Sequence, residues 1–278
     1  MRLKGLRRKY HQQICAQLLS VDKAGVPNNA DRYSELSVSL ALGILEAMQL
    51  QPRKTSTPGQ TAGRLFEMLT RDYLEAAFRM IEHLRPGKWQ FTVGKRIEEF
   101  EQYEHLAKLS QSLSANKELR AALGDYLINP DIVVGRLPVR DNEINDKRTL
   151  LGDDEIATLT PLRAKNSQRS ILHASISCKW TIRSDRSQNA RTEGLNLVRN
   201  RKGQTPHIAI VTAEPYPQRI ASVALGTGDI DCVYHFALQE LQAAANSLAD
   251  EAVLEMLDIL VSGKRLRDIS DLPFDLAT

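Results

Sequence analysis

Cysteine chemistry is nearly missing from this sequence: Cys15, Cys178 and Cys232 are odd in number, widely spaced and never arranged as CxxC. That excludes a disulfide framework, offers no zinc-ligand spacing and fits a reducing compartment. Long apolar runs are missing too. No stretch approaches the roughly 18 apolar residues of a membrane span, and the basic start MRLKGLRRKYHQQ meets no apolar segment of the kind found in secretory signals. The expectation is a cytoplasmic protein with no membrane partner. Internal repeats and low-complexity tracts are lacking, and so is any large excess of charge. Against 34 acidic residues stand 37 basic ones, a formal charge of +3, which permits a polyanionic partner without requiring one. What is present is an ordinary globular composition, 278 residues and 42% hydrophobic, enough to bury a sizeable core.

The densest chemistry lies in Ile171 to Leu197, ILHASISCKWTIRSDRSQNARTEGLNL. Its first half, to Ile182, is apolar and β-branched without Pro or Gly, and reads as a buried strand. Ser175, Ser177 and Lys179 then share one face, with neighbours roughly 7 Å apart. Ala174, Ile176 and Cys178 share the other. A lysine on so apolar a strand either snorkels to solvent or faces an anion. Ser184 and Asp185 suit a helix start, and Asp185 to Arg199 reads as a helix. This puts Arg183 and Arg186 at its N-terminus, where the macrodipole disfavours cations. Arginine forks there can pair bidentately with guanine O6 and N7, and Asp185 can orient them or accept from cytosine N4. Glu193, two turns beyond Arg186, can point back toward Lys179.

A further carboxylate comes from Tyr126 to Leu137, YLINPDIVVGRL, where Asp131 follows a turn-prone Asn129-Pro130 and opens an apolar run. An acidic residue at a strand opening, a strand with Ser-x-Lys and a helical glutamate can converge on one divalent cation. PD-(D/E)xK nucleases use such an arrangement, with one departure here: Ser177 stands where an acid is usual, and Glu193 supplies the missing carboxylate from the helix.

At these residues the chain resembles the type II restriction endonucleases that cut sequences containing CCGG. Asp131 with Ser177-Cys178-Lys179 alone is a weak signal; Lys-x3-Arg-x-Asp-Arg, from Lys179 through Arg183, Asp185 and Arg186 and followed by Glu193, is a specific one. The similarity extends from Asp31 to about Arg219. It implies an α/β fold with a PD-(D/E)xK nuclease-like core, a central mixed sheet flanked by helices. It also implies that Glu67, in GRLFEMLT, joins the catalytic cluster as an outer member and that Gln60 reads the minor groove. Asp31 and Arg219 would contact the outer cytosine and guanine of GCCGGC. The same resemblance implies double-stranded DNA as substrate, cleavage after the first G with a four-base 5′ overhang, a homotetramer of two dimers, and a cognate DNA methyltransferase in the host. In plainer readings Asp31 caps a helix, Glu67 is a surface or ion-pair residue, Gln60 is a loop amide and Arg219 lies on the surface.

The expected chemistry is Mg²⁺-dependent phosphodiester hydrolysis. Asp131, Glu193 and the Cys178 carbonyl would hold one or two ions, Lys179 would orient the attacking water, and Ser177 would hydrogen-bond within the cluster. Two rival readings compete: a Ser-Lys amidase using Ser177 and Lys179, and a sequence-specific DNA-binding module without catalysis. The amidase explains neither the arginines nor Asp131, and a nucleophile inside a strand is poorly exposed.

The rest of the chain reads as scaffold. A helix is expected over residues 2–20, with Leu3, Leu6, Tyr10, Ile14, Ala16 and Leu18 inside and Arg2, Lys4, Arg7, Arg8 and Lys9 on a solvated face. A second, which Asp31 caps or precedes, runs through Leu50. A third spans Thr61 to His83, with Leu65, Met68, Leu69, Leu74, Phe78 and Ile81 toward the core. Strands are expected at Lys88 to Val93, His207 to Ala213 and Asp229 to Phe236, and helices at Ile97 to Leu123 and Ala237 to Val261. His207 invites a general-base role, but at a strand end without a nucleophile it reads as structural. Residues 138–170 form a long connection, a type often functional or mobile, and Lys264 to Thr278 a surface tail. The expected organisation is one domain, 1–278: a helical part, 1–125, packed on a nuclease core of about 126–236, then helices 237–278.

Overall fold

The structure, a computed structural model, describes residues 2–55, 59–115, 118, 129–152, 155–182, 184–226 and 228–278. In chain order the elements are α1 (Leu3–Gln17), α2 (Glu35–Met48), α3 (Gly59–Met80), β1 (Trp89–Val93), α4 (Leu106–Ala115), β2 (Ile132–Arg136), α5 (Asp141–Ile144), β3 (Ile171–Lys179), α6 (Ser184–Asn200), β4 (His207–Thr212), α7 (Pro217–Ala224), β5 (Cys232–His235), α8 (Leu238–Leu248), α9 (Glu251–Ser262), β6 (Leu266–Asp268) and α10 (Leu272–Asp275). Among the described residues no helix is long and apolar enough to cross a membrane.

The six strands form one mixed sheet in the order β1-β2-β3-β4-β5-β6. The first three are antiparallel and the last four parallel, β3 belonging to both sets. Strands β2, β4 and β5 are buried almost throughout, as expected of strands covered on both faces. Helix α3 lies against the Ala174, Ile176 and Cys178 face of β3 through the stripe Phe66, Thr70, Tyr73 and Ala77, all buried. The opposite face carries α6, whose Gly194 sits over Ile208, the β4 partner of Ser175. The sheet takes β1 and β6 from the segments read as an N-terminal helical part and as C-terminal helices.

Several sequence expectations give way. Met68 is exposed rather than in the core, because it sits about 200° around the helix from Phe66. Ala16 likewise faces solvent, while Cys15 is buried. Arg7 is not on a solvated face. Its guanidinium makes four hydrogen bonds of 2.6–2.9 Å to Glu240 and Asp268, tying α1 to α8 and the end of β6. Of the two places open to Asp31, it precedes α2 rather than capping it: Ser34 is the cap, its side chain accepting from the Ser37 amide. The expected tail is no tail: β6 pairs with β5, and Ile269, Leu272 and Leu276 are buried. Between α8 and α9 the chain turns at Ala249, in the left-handed region, and Asp250 caps the second helix. The Ala-rich α8 approaches α2 so closely that a Cβ on Gly43 would stand 2.7 Å from the Ala244 Cβ.

Candidate active site

Antiparallel pairing puts the start of β2 beside the end of β3, with Ile132 opposite Ile176. Asp131, one residue before β2, therefore faces the last residues of β3. Its backbone is held from the other side by the Gly94 amide, which donates to the Asp131 carbonyl at 3.1 Å. One carboxylate oxygen, Oδ2, receives three donors: the Cys178 amide at 2.7 Å, the Ser177 hydroxyl at 3.3 Å and the Lys179 ammonium at 3.3 Å. Within a strand the N–H and C=O of one residue point to the same edge. The Cys178 carbonyl thus faces the same side as its amide, toward Asp131.

Two glutamates reach this edge from opposite faces of the sheet. Glu67 comes from α3, which is set on β3 by Phe66 meeting Trp180 edge-on with centroids 5.2 Å apart. Burial, then the Asp131 charge, push its carboxyl up to about 7, against the pull of Lys179 and Arg64. Glu193 comes from α6, held close because Gly194 leaves no Cβ to strike the Asp229 carbonyl oxygen, which would lie 2.7 Å away. Burial raises the Glu193 carboxyl; Lys179 pulls it down and Asp131 pushes it up again. One lysine thus faces three carboxylates, a combination that favours a further cation. Among the described residues no three His, Cys, Asp or Glu side chains stand close enough to hold a metal by themselves. A bound ion would also need a backbone carbonyl and water.

The same sheet edge carries a second pair. Arg219, in the first turn of α7, hydrogen-bonds through its guanidinium to Asp31 Oδ2, while Oδ1 accepts the Tyr33 amide at 3.1 Å. Both side chains remain partly exposed. Sequence placed these two residues 188 positions apart and gave no sign that they touch. Arg183 lies outside the described residues, as do the side chains of Gln60, Asp185 and Arg186. By backbone position, Asp185 and Arg186 fall in the first turn of α6 and Gln60 in that of α3. His207 sits at the far end of β4, against His173 with centroids 5.0 Å apart and 3.5 Å from Asp231, away from the Asp131 cluster and consistent with a structural role.

A family model described as NgoMIV restriction enzyme matches residues 10–278. The chain belongs to the NgoMIV restriction enzyme family. The type II restriction enzyme NgoMIV of Neisseria gonorrhoeae is 51% identical over 278 residues, covering 98% of this chain and 97% of that protein. This member of the NgoMIV family is therefore a type II restriction endonuclease, a hydrolase that cuts DNA at specific sites, and the Ser-Lys amidase and non-catalytic readings fall away. A weaker overlap, at 13% identity and a TM-score of 0.36, covers 81% of this chain and 79% of the type IIF restriction endonuclease Bse634I, solved with cognate DNA.

Two residues beside the Asp131 cluster of this NgoMIV-family enzyme escaped the sequence reading. Glu214 follows β4 and is fully buried; Thr212 donates through its hydroxyl to the Lys179 carbonyl at 2.8 Å. The signal for Glu214 was present: a carboxylate closing the apolar run HIAIVTA, beside a proline, mirrors the logic that found Asp131.

Proposed function

We propose that this enzyme makes Mg²⁺-dependent double-strand cuts at a palindromic site containing CCGG, GCCGGC in full, cleaving after the first G to leave a four-base 5′ overhang. The observation that carries the reading is the meeting of Asp131, Lys179, Glu67 and Glu193 at one sheet edge. The donors are hard oxygens, the set Mg²⁺ prefers, and Mg²⁺ keeps several waters rather than demanding an all-protein cage. Asp131, Glu193 and the Cys178 carbonyl would hold the ion. An ion there would supply charge to offset the phosphate and would lower the pKa of a bound water. Lys179 orients the attacking water and stabilises the developing negative charge. Ser177 hydrogen-bonds to the Asp131 carboxylate and helps fix it, and Glu67 serves as the outer carboxylate of the cluster.

Recognition divides between two elements. Arg183, Asp185 and Arg186 at the start of α6 read the inner CCGG. Arg219 and Asp31 read the outer pair, the fork taking guanine O6 and N7 and the carboxylate accepting from cytosine N4. Because these two already hydrogen-bond to each other, little side-chain freedom is lost on binding. Gln60 reads the minor groove. Cutting both strands of a palindrome requires two-fold symmetry, met here by a homotetramer of two dimers. The 138–170 excursion, pinned by the Arg163 to Asp141 pair and exposing Leu150, Ile156 and Leu159, suits a subunit face. The enzyme acts in the cytoplasm beside a cognate DNA methyltransferase. Digesting a plasmid of known sequence with Mg²⁺ or with a chelator, and sequencing the ends, tests the reading. Ends at GCCGGC only when Mg²⁺ is present support it; ends elsewhere, or cutting in chelator, defeat it.

A further inference from the structure

Glu214 takes no part in the Asp131 cluster, yet its carboxylate is fully buried where the DNA-reading elements meet. Its two oxygens serve two different segments. Oε2 accepts the Ile182 amide at 2.9 Å, and Oε1 accepts the Tyr216 amide at 3.2 Å. Ile182 directly precedes Arg183 and the start of α6. Tyr216 is the N-cap residue of α7, whose first turn holds Arg219.

The neighbouring residues extend the same joint. The Ala213 carbonyl accepts Asn29 Nδ2 at 2.9 Å, anchoring the loop that leads to Asp31. Thr212 Oγ1 accepts the Glu214 amide at 3.1 Å while donating to the Lys179 carbonyl. Burial pushes the Glu214 carboxyl up to about 7 even though two backbone amides favour its charged form. Burying a carboxylate is costly, and what this one does at that cost is join two chain segments, at Ile182 and at Tyr216, through one side chain.

We propose that Glu214 is a positioning residue for sequence recognition: one oxygen fixes the chain entering α6 and the other fixes the Arg219 helix, so that inner and outer base pairs are read in a single register. This rests on the recognition roles proposed above for the α6 start and for Arg219 with Asp31. A carboxylate is required because two amide donors need two acceptors from one side chain. Glutamine keeps the shape but offers one oxygen and turns an NH₂ toward the second donor.

The test uses the full-length enzyme with Mg²⁺. Cleavage ends are mapped for the wild type, then kcat and KM are measured on its own site and on sites altered at one inner or one outer pair, for wild type, Glu214→Gln and Arg219→Ala. Glu214→Gln is expected to unfold cooperatively like the wild type and to lose discrimination at inner and outer pairs together, about tenfold or more, through KM more than kcat. Arg219→Ala is expected to lose it at the outer pair alone. Glu214→Asp, with both acceptor oxygens on a shorter stem, is expected to recover part of the loss, and it carries the same measurement should the glutamine variant fail to fold. Wild-type discrimination in whichever folded variant is measured, or a fall in kcat alone, overturns the inference. Ends away from CCGG, or an Arg219→Ala enzyme with intact outer-pair discrimination, instead overturn the recognition reading beneath it.

Discussion

Two clusters in this enzyme place buried or half-buried carboxylates around one cation, and they behave in opposite ways. In the cluster joining α1, α8 and β6, Arg7 bonds both Glu240 and Asp268 with paired N–H donors. Burial pushes both carboxyls up, but the Arg7 hydrogen bonds and charge outweigh it and hold them below their usual range. At the start of β2 and the end of β3, Lys179 gives one 3.3 Å contact to Asp131, and Glu67 and Glu193 are pushed up. The first cluster is a satisfied tie. The second gathers carboxyls shifted upward around a single lysine contact, the pattern that marks a candidate functional site.

Breaking the second cluster tests the comparison most severely. Asp131→Ala or Lys179→Ala is expected to lower the cleavage rate by roughly 10²–10³-fold or more while DNA binding stays measurable by gel shift; full activity in either variant removes the assignment. Arg7→Ala attacks the other cluster. Leaving two carboxylates buried without their partner costs about 3–5 kcal/mol, read as a lower midpoint in denaturant, with the cleavage rate per folded molecule kept. A rate loss matching that of Lys179→Ala would erase the distinction between the clusters. Gly194→Ala lies between the two extremes: the new Cβ meets the Asp229 carbonyl oxygen, costing about 1–3 kcal/mol and shifting Glu193. Slower cleavage in protein that is still folded is the expected result.

The smallest effect is on pH, and it separates the clusters by sign. Glu67 rises from its ordinary 4.5 to about 7 on folding, so its contribution to stability is complete below 4.5 and is lost as pH rises toward 7. Glu240 and Asp268 are held low, so their contribution is present above the ordinary carboxylate range and is lost as pH falls through their folded values. In metal-free protein, Glu67→Gln should flatten the decline between pH 4.5 and 7, and Arg7→Ala should flatten the acid limb. Thermal unfolding across pH measures both, and an unchanged profile in Glu67→Gln argues against its burial among like charges. Added Mg²⁺ should raise the melting temperature of the wild type near pH 8 through linkage and do so less in Asp131→Ala.

The sequence made most of the Asp131 cluster legible because its signals are local. Asp131 opens β2 after a turn, Lys179 sits on an apolar strand, and Glu193 follows at helical spacing, each readable within a dozen residues of its own element. The Arg7 tie was invisible for the opposite reason: its partners lie 233 and 261 residues away, and a basic run at the N-terminus looks the same whether solvated or paired. Strand β6, three residues long, carries no alternation to recognise and exists because β5 offers it an edge. Glu214 combines both cases, a local signal whose two partners appear only when the ends of β3 and β4 lie side by side.

What the sequence by itself determined is the α/β order of elements, the acid-strand-lysine-helix pattern and the family to which the chain belongs. Side-chain type and periodicity depend on near neighbours, and near neighbours are what a sequence records. Only the tertiary structure decided that Asp31 pairs with Arg219, that Glu67 and Glu193 approach Asp131 from opposite faces, and that a buried glutamate joins the chain entering α6 to the start of α7. Those relations depend on strand register and helix packing, where one slip of pairing or one added Cβ changes which groups meet.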